Sequence, residues 1–222
     1  MRTIFVGDVH GCAAEFAEIL TATGYRHNQD RLLLTGDAFA RGPDPLAVWH
    51  LIRETEAEMV LGNHDARLLQ QFEACQSGHK PDVQKPDQHD TLAKLEPVRE
   101  EIVTWLRQVP LYIEEAPFQL VHAGIDPQKG LSGTSRDQFL TIRTWPPTQE
   151  PIGPRWHASY QPQCPLLIFG HDALGGLVVK ERDGQPYLLG LDTGCVYGNQ
   201  LSAYVLEESR LVQVPSQQPS LS

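Results

Sequence analysis

The chain is 222 residues long and carries a formal net charge of −10, with 41% hydrophobic and 21% charged residues, as in an ordinary globular protein. That length suits one sizeable domain, and no run of ~18 apolar residues is present, so a disordered chain and a membrane-bound one are both excluded as readings. The acidic balance argues against non-specific nucleic-acid binding, which needs a basic face; a polyanionic ligand must be held by local groups.

In chain order, Arg2–Val6 is predicted as a buried strand running straight into Gly7-Asp8, which leaves no signal peptide and makes the cytoplasm the expected compartment. A helix is predicted at Ala13–Ala22, a strand at Arg31–Thr35, a helix at Asp44–Glu54, a strand at Glu58–Leu61 and a helix at Ala66–Ala74. This threefold alternation is the pattern of a parallel sheet, in which function collects at the carboxyl ends of the strands. Gln76–His89 is polar and is expected to be a surface excursion. Thr91–Gln108 is expected to be helical, kinked or split by Pro97. Strands at Leu111–Ile113 and Phe118–His122 follow, then a helix at Ser135–Arg143 and an ordered, aromatic-rich loop at Trp145–Gln163 covering the site. Leu166–Phe169 is a strand, Leu177–Arg182 and Pro186–Leu191 form a hairpin through Asp183-Gly184, and Leu201–Glu207 with Arg210–Val214 form another. The order fits a four-layer αββα sandwich, two mixed sheets flanked by helices. Residues 1–214 are expected to form one domain and 215–222 a frayed polar tail. The four cysteines, Cys12, Cys75, Cys164 and Cys195, form no CxxC pair and are expected to be reduced, with Cys12 and Cys195 acting as small buried fillers.

Five motifs recur at strand ends: Gly7-Asp8-Val9-His10-Gly11, Gly36-Asp37-Ala38-Phe39-Ala40-Arg41-Gly42, Gly62-Asn63-His64-Asp65, Val121-His122-Ala123-Gly124 and Gly170-His171. Asp8 and His10 are two residues apart and can reach the same ion. Asp37 can bridge that ion to a second one served by Asn63, His122 and His171. Two divalent ions ~3.5–4 Å apart promote in-line displacement at phosphorus. A mixed nitrogen and oxygen set without thiolate suits manganese, iron, zinc or cobalt rather than copper and does not choose among them; manganese is the expected ion, with magnesium also open. A water held between the ions would attack as hydroxide. His64 is placed to protonate the leaving oxygen, and Arg41 and Arg143 to hold phosphate oxygens, with Arg155 and Arg136 as weaker candidates for the second arginine. His27, His50, His79, His89 and His157 lack such context and are expected to be solvated or to serve packing.

These motifs resemble those of calcineurin-like metallophosphoesterases of the phosphoprotein-phosphatase type, over residues 1 to about 206. The nearer resemblance is to the bacterial symmetrical bis(5'-nucleosyl)-tetraphosphatases, carried by Gly36–Pro43, Gly62–Asp65, Trp105–Leu111, His122–Gln128 and Leu191–Gly198. It implies the same ligands, with His64 as acid and Arg41 at phosphate, and cleavage of diadenosine tetraphosphate to two ADP. The alternatives are a phosphatase acting on a Ser/Thr or Tyr phosphoprotein and removal of a nucleotide cap from RNA. The sequence departs from the resemblance in two places. Ala40 stands where protein phosphatases place an aspartate that pairs with the catalytic histidine, which suits a phosphoanhydride with a good leaving group. The Ile125–Phe169 segment is short, leaving Trp145, Trp156 and Tyr160 as candidates to stack on a base.

Overall fold

The computed structural model describes residues 1–147 and 152–220. In the first sheet, β1 (Thr3–Val6), β2 (Arg31–Leu34) and β3 (Glu58–Met59) run parallel, while β9 (Gln200–Val205) and β10 (Arg210–Pro215) run antiparallel on the β1 side. In the second, β5 (Phe118–Val121), β6 (Leu167–Phe169) and β8 (Gln185–Gly190) run parallel, edged by antiparallel β4 (Tyr112–Glu115) and β7 (Val178–Arg182).

Strand alternation builds the layers. Phe5, Leu33 and Val60 point from the first sheet to Phe118, Leu120, Ile168 and Leu189 of the second, and the Phe5 and Phe118 rings meet edge-on at 4.8 Å. The neighbouring residues Ile4, Val6, Leu32 and Leu34 point the other way. There they pack on α1 (Ala13–Thr23), α2 (Pro45–Thr55), α3 (Asn63–Gln76) and α5 (Arg99–Leu106) through Phe16, Ile19, Trp49, Ile52, Phe72 and Ile102. The outer face of the second sheet is covered more thinly. Its cover is α6 (Gly130–Gly133), α7 (Arg136–Thr141) and a 3-10 turn at Trp156–Ala158, which bring Phe139, Trp156 and Tyr160 onto Leu167 and Phe169. The α/β class and the two mixed sheets flanked by helices are as expected.

Three departures from expectation have a physical cause. α3 starts at Asn63 instead of Ala66, because extended Gly62 precedes it and the Asp37 carboxylate accepts the His64 N–H at 2.8 Å, capping the helix from another loop. α4 (Pro86–Leu95) begins inside the expected polar excursion, with Pro86 in its first turn, and a 3-10 turn at Glu96–Val98 separates it from α5, as Pro97 foretold. The chain after β10 is held at 216–218 instead of frayed. Ser216 Oγ, Gln217 N and Gln218 Nε2 all donate to Oε1 of Glu15, whose burial demands donors. The Asp183-Gly184 turn has φ of 54° and 73°, the paired positive values of a tight hairpin. Residues 148–151 of the predicted covering loop and 221–222 of the predicted tail lie outside the described residues. Among the described residues, no helix is long and apolar enough to cross a membrane.

Candidate metal centre

The carboxyl ends of the parallel strands of both sheets converge on one cleft. The β1 loop delivers Asp8 and His10, the β2 loop Asp37, and the first turn of α3 Asn63 and His64. The second sheet delivers His122 after β5 and His171 after β6. Asp8, His10 and Asp37 form one cluster of donor atoms within 4.8 Å of one another, and Asp37, His122 and His171 form another. Asp37 belongs to both.

Local backbone geometry favours this convergence at some cost. His10, Asp37, Arg41 and His171 all have positive φ, at 47°, 51°, 74° and 67°, a region non-glycine residues seldom occupy. A side chain on Gly62 would overlap the Asp37 carboxylate, and one on Gly170 would overlap that of Asp8.

Hydrogen bonds fix which atoms face the cleft. Asp8 accepts from Thr35 Oγ1 at 2.6 Å and from the His171 N–H at 3.0 Å. His122 Nδ1 lies 2.9 Å from the Thr35 carbonyl, which can only accept, so Nδ1 carries the proton and Nε2 presents a lone pair. That lone pair meets Asn63 Oδ1 at 3.1 Å and Asp37 Oδ2 at 3.6 Å. Three acceptor atoms thus crowd one point, and a single cation can satisfy them together. His10 Nδ1 and His171 Nε2 are also buried without a partner. A donor set of this kind fits divalent cations and little else.

The electrostatics agree. Burial pushes the Asp37 carboxyl up to about 7 and that of Asp192 up to about 6; burial together with Asp37 raises Asp65 to about 7. Asp8 is raised by burial and by Asp192 and Asp37. Burial lowers His122 to about 4, and it lowers His10 and His171 as well, each helped by neighbouring histidine and arginine groups. Metal-free, the imidazoles are neutral and offer lone pairs, while the carboxyls take up protons more readily than free ones and release them to an incoming ion.

The model of the calcineurin-like phosphoesterase family matches residues 1–206. The chain belongs to that family. A symmetrical bis(5'-nucleosyl)-tetraphosphatase from Aromatoleum aromaticum is 30% identical over 276 aligned positions, covering 96% of this chain and 97% of that protein. Another bearing the same name, from Aeromonas salmonicida, is 29% identical, with 97% and 98% covered. A solved structure of a provisionally named diadenosine tetraphosphatase superposes with a TM-score of 0.76 at 30% identity, over 97% of this chain and 93% of that one. A Saccharomyces cerevisiae protein serine/threonine phosphatase shares the fold, with a TM-score of 0.62 at 15% identity over 100% and 81%. Membership of the family implies an enzyme, a hydrolase, with a dinuclear divalent metal site, and the two clusters joined at Asp37 are where this chain can hold it.

Beside the clusters lies a cleft of about 500 Å³. Arg41, His64 and Arg143 line it, together with Leu174, Asp192 and Tyr197. Arg41 donates to His64 Nε2 at 3.0 Å and sits over the Tyr197 ring at 5.4 Å. Burial and Arg41 lower His64 to about 3. Arg143 also reaches toward the His171 carbonyl at 3.4 Å. The weaker arginine candidates fall away: Arg155 pairs with Asp172 at 2.8 Å, and Arg136 is exposed on α7 outside the cleft lining. The aromatic candidates need correction too. Trp156 is 1% and Tyr160 2% exposed, in the core under the second sheet, and Trp145 packs against that same cluster. Trp156 Nε1 donates to the Ala123 carbonyl. The ring that does face the cleft is Tyr197, from the Leu191–Gly198 stretch quoted above for its resemblance but not for its chemistry. Asp192, in the same stretch, was also missed; its position directly after a buried strand end was the available signal. His27, His50, His79 and His89 are exposed, as expected, and His157 packs on Phe169 away from the cleft. The aligned length to the Aromatoleum relative exceeds the 222 residues of this chain, so that relative carries residues this family member lacks.

Proposed function

We propose that this chain hydrolyses dinucleoside polyphosphates, splitting diadenosine tetraphosphate into two ADP. The observation that carries the reading is the pair of clusters joined at Asp37 directly beside the cleft that Arg41, Arg143 and Tyr197 line. In this reading Asp8, His10 and Asp37 hold one ion, and Asp37, Asn63, His122 and His171 hold the other, with manganese as the metal. When bound, the two ions supply positive charge at the phosphate and an activated water.

The side chains do the rest. Arg143 and Arg41 hold phosphate oxygens as forked donors. Arg41 moves from His64 Nε2 to the phosphate, which releases that nitrogen to face the leaving oxygen and removes the nearest positive charge from the ring. ADP leaves readily as an anion, so it asks little of a proton donor. A His64 with no carboxylate at position 40 to raise its basicity is adequate for that bond and poor for an alkyl phosphate. Tyr197 gives one adenine a face to stack on.

The test is product analysis by chromatography with manganese-loaded protein, diadenosine tetraphosphate and a phosphopeptide panel. ADP as sole product, formed faster than peptide phosphate, supports the reading; peptide turnover with little ADP overturns it. Tyr197→Ala should raise KM for the dinucleotide roughly 5- to 100-fold, as expected for one lost base stack, while Tyr197→Phe should not.

A further inference from the structure

We propose a second metal site, for a thiophilic divalent ion such as zinc, formed by Cys12, Glu15 and Cys195. Cys12 precedes α1, Glu15 lies in its first turn, and Cys195 opens the 3-10 turn that ends at Tyr197. Their ligand atoms all lie within 4.8 Å of one another, and the three residues are 0%, 0% and 1% exposed.

The second observation concerns the charge. Oε1 of Glu15 takes the donors of Ser216, Gln217 and Gln218 at 3.3, 2.8 and 3.0 Å. Oε2 is equally buried and has no donor. The Cys12 thiol points at the His10 carbonyl, 3.7 Å away, so its proton is not spent on the carboxylate. The donors on Oε1 keep the carboxylate ionised, while Oε2 stays bare beside two sulfurs, an open ligand position that a cation can fill.

The donor types choose the cation. Two sulfurs and one carboxylate oxygen favour zinc over the manganese or magnesium that suit an oxygen-rich centre. Tetrahedral zinc with Zn–S near 2.3 Å sets its sulfurs ~3.8 Å apart, inside the observed spread. The fourth position goes to a water or a carbonyl. As the ion enters, each thiol gives its proton to solvent and forms an S–Zn bond; nothing is oxidised. The site ties the His10 loop, α1, the Tyr197 turn and the chain at 216–218 into one unit, and it is separate from the clusters joined at Asp37.

Cobalt distinguishes this site from the catalytic one, because only thiolate ligation gives an intense sulfur-to-cobalt band in the near ultraviolet. The full chain, reduced and stripped with chelator, is titrated with cobalt and then with zinc. The expected result is that band, its displacement by zinc, and one more zinc per chain in the wild type than in Cys195→Ser. Glu15→Gln, which keeps an oxygen for the 216–218 donors, should bind cobalt at this site at least tenfold more weakly. If Cys195→Ser does not fold, the wild-type spectrum and Glu15→Gln decide the matter. No thiolate band in the wild type, or a band that survives Cys195→Ser, overturns the proposal.

Discussion

Replacing Asp37 with asparagine should stabilise the metal-free protein while abolishing its stabilisation by metal. The Asp37 carboxyl is 2% exposed, and burial lifts it from 3.8 to about 7. A group whose folded pKa is raised contributes stability that is complete below the unfolded value and is lost as pH climbs through the folded one. Keeping Asp37 ionised at pH 8 therefore costs the metal-free fold up to ~4 kcal/mol, from about 3 pKa units at 1.36 kcal/mol each. Because Asp8, Asp65 and Asp192 share the same protons, the working figure is nearer ~2 kcal/mol. Asp37→Asn removes the charge and keeps an oxygen for the His64 N–H. Urea unfolding in excess chelator should show the variant more stable by about that amount at pH 8, with the gap closing steadily below pH 7 and gone near pH 4. Added manganese should reverse the order, raising the wild type above the variant. If the variant is less stable at pH 8 in chelator, or if manganese stabilises both proteins equally, the account of Asp37 as a charge awaiting two cations is wrong.

Removing the guanidinium in Arg41→Ala should raise the His64 pKa from about 3, by NMR of the imidazole, with burial keeping it below that of a free histidine, and lower kcat/KM on the dinucleotide roughly 10- to 100-fold through the lost phosphate contact. Ala40→Asp should raise turnover of an alkyl phosphomonoester relative to a phosphoanhydride; an unchanged ratio would count against the leaving-group argument. Trp156→Ala should cost ~3–5 kcal/mol of stability by emptying the core and stranding the Ala123 carbonyl, yet leave KM for the dinucleotide where it was, since the ring does not line the cleft.

The sequence was most legible where chemistry and secondary structure coincide. Each of the motif residues Asp8, Asp37, His122 and His171 follows an apolar run, and a residue after such a run has nowhere to go but the end of a strand. Their convergence was therefore readable without any contact map. Tyr197 and Trp156 show the limit. Both sit in short 3-10 turns, where no period tells inward from outward, and the burial of Trp156, 1% exposed, depends on Gly124, which leaves room for the indole. The start of α3 was misjudged for a related reason: the group that caps it, Asp37, belongs to a different loop, and a cap supplied from 27 residues away leaves no local trace. The anchoring of 216–218 was hidden in the same way, since it depends on Glu15, near the other end of the chain.

The convergence at Asp37 also has a mechanical side. Asp8, His10, Asp37 and Asn63 hang from one sheet, and His122 and His171 from the other, with Thr35 bonded to both Asp8 and His122. An ion held by Asp37, His122 and His171 would act as a clasp across the seam between the sheets. Its loss would free one sheet to shift against the other, so the looseness of that seam would track metal occupancy.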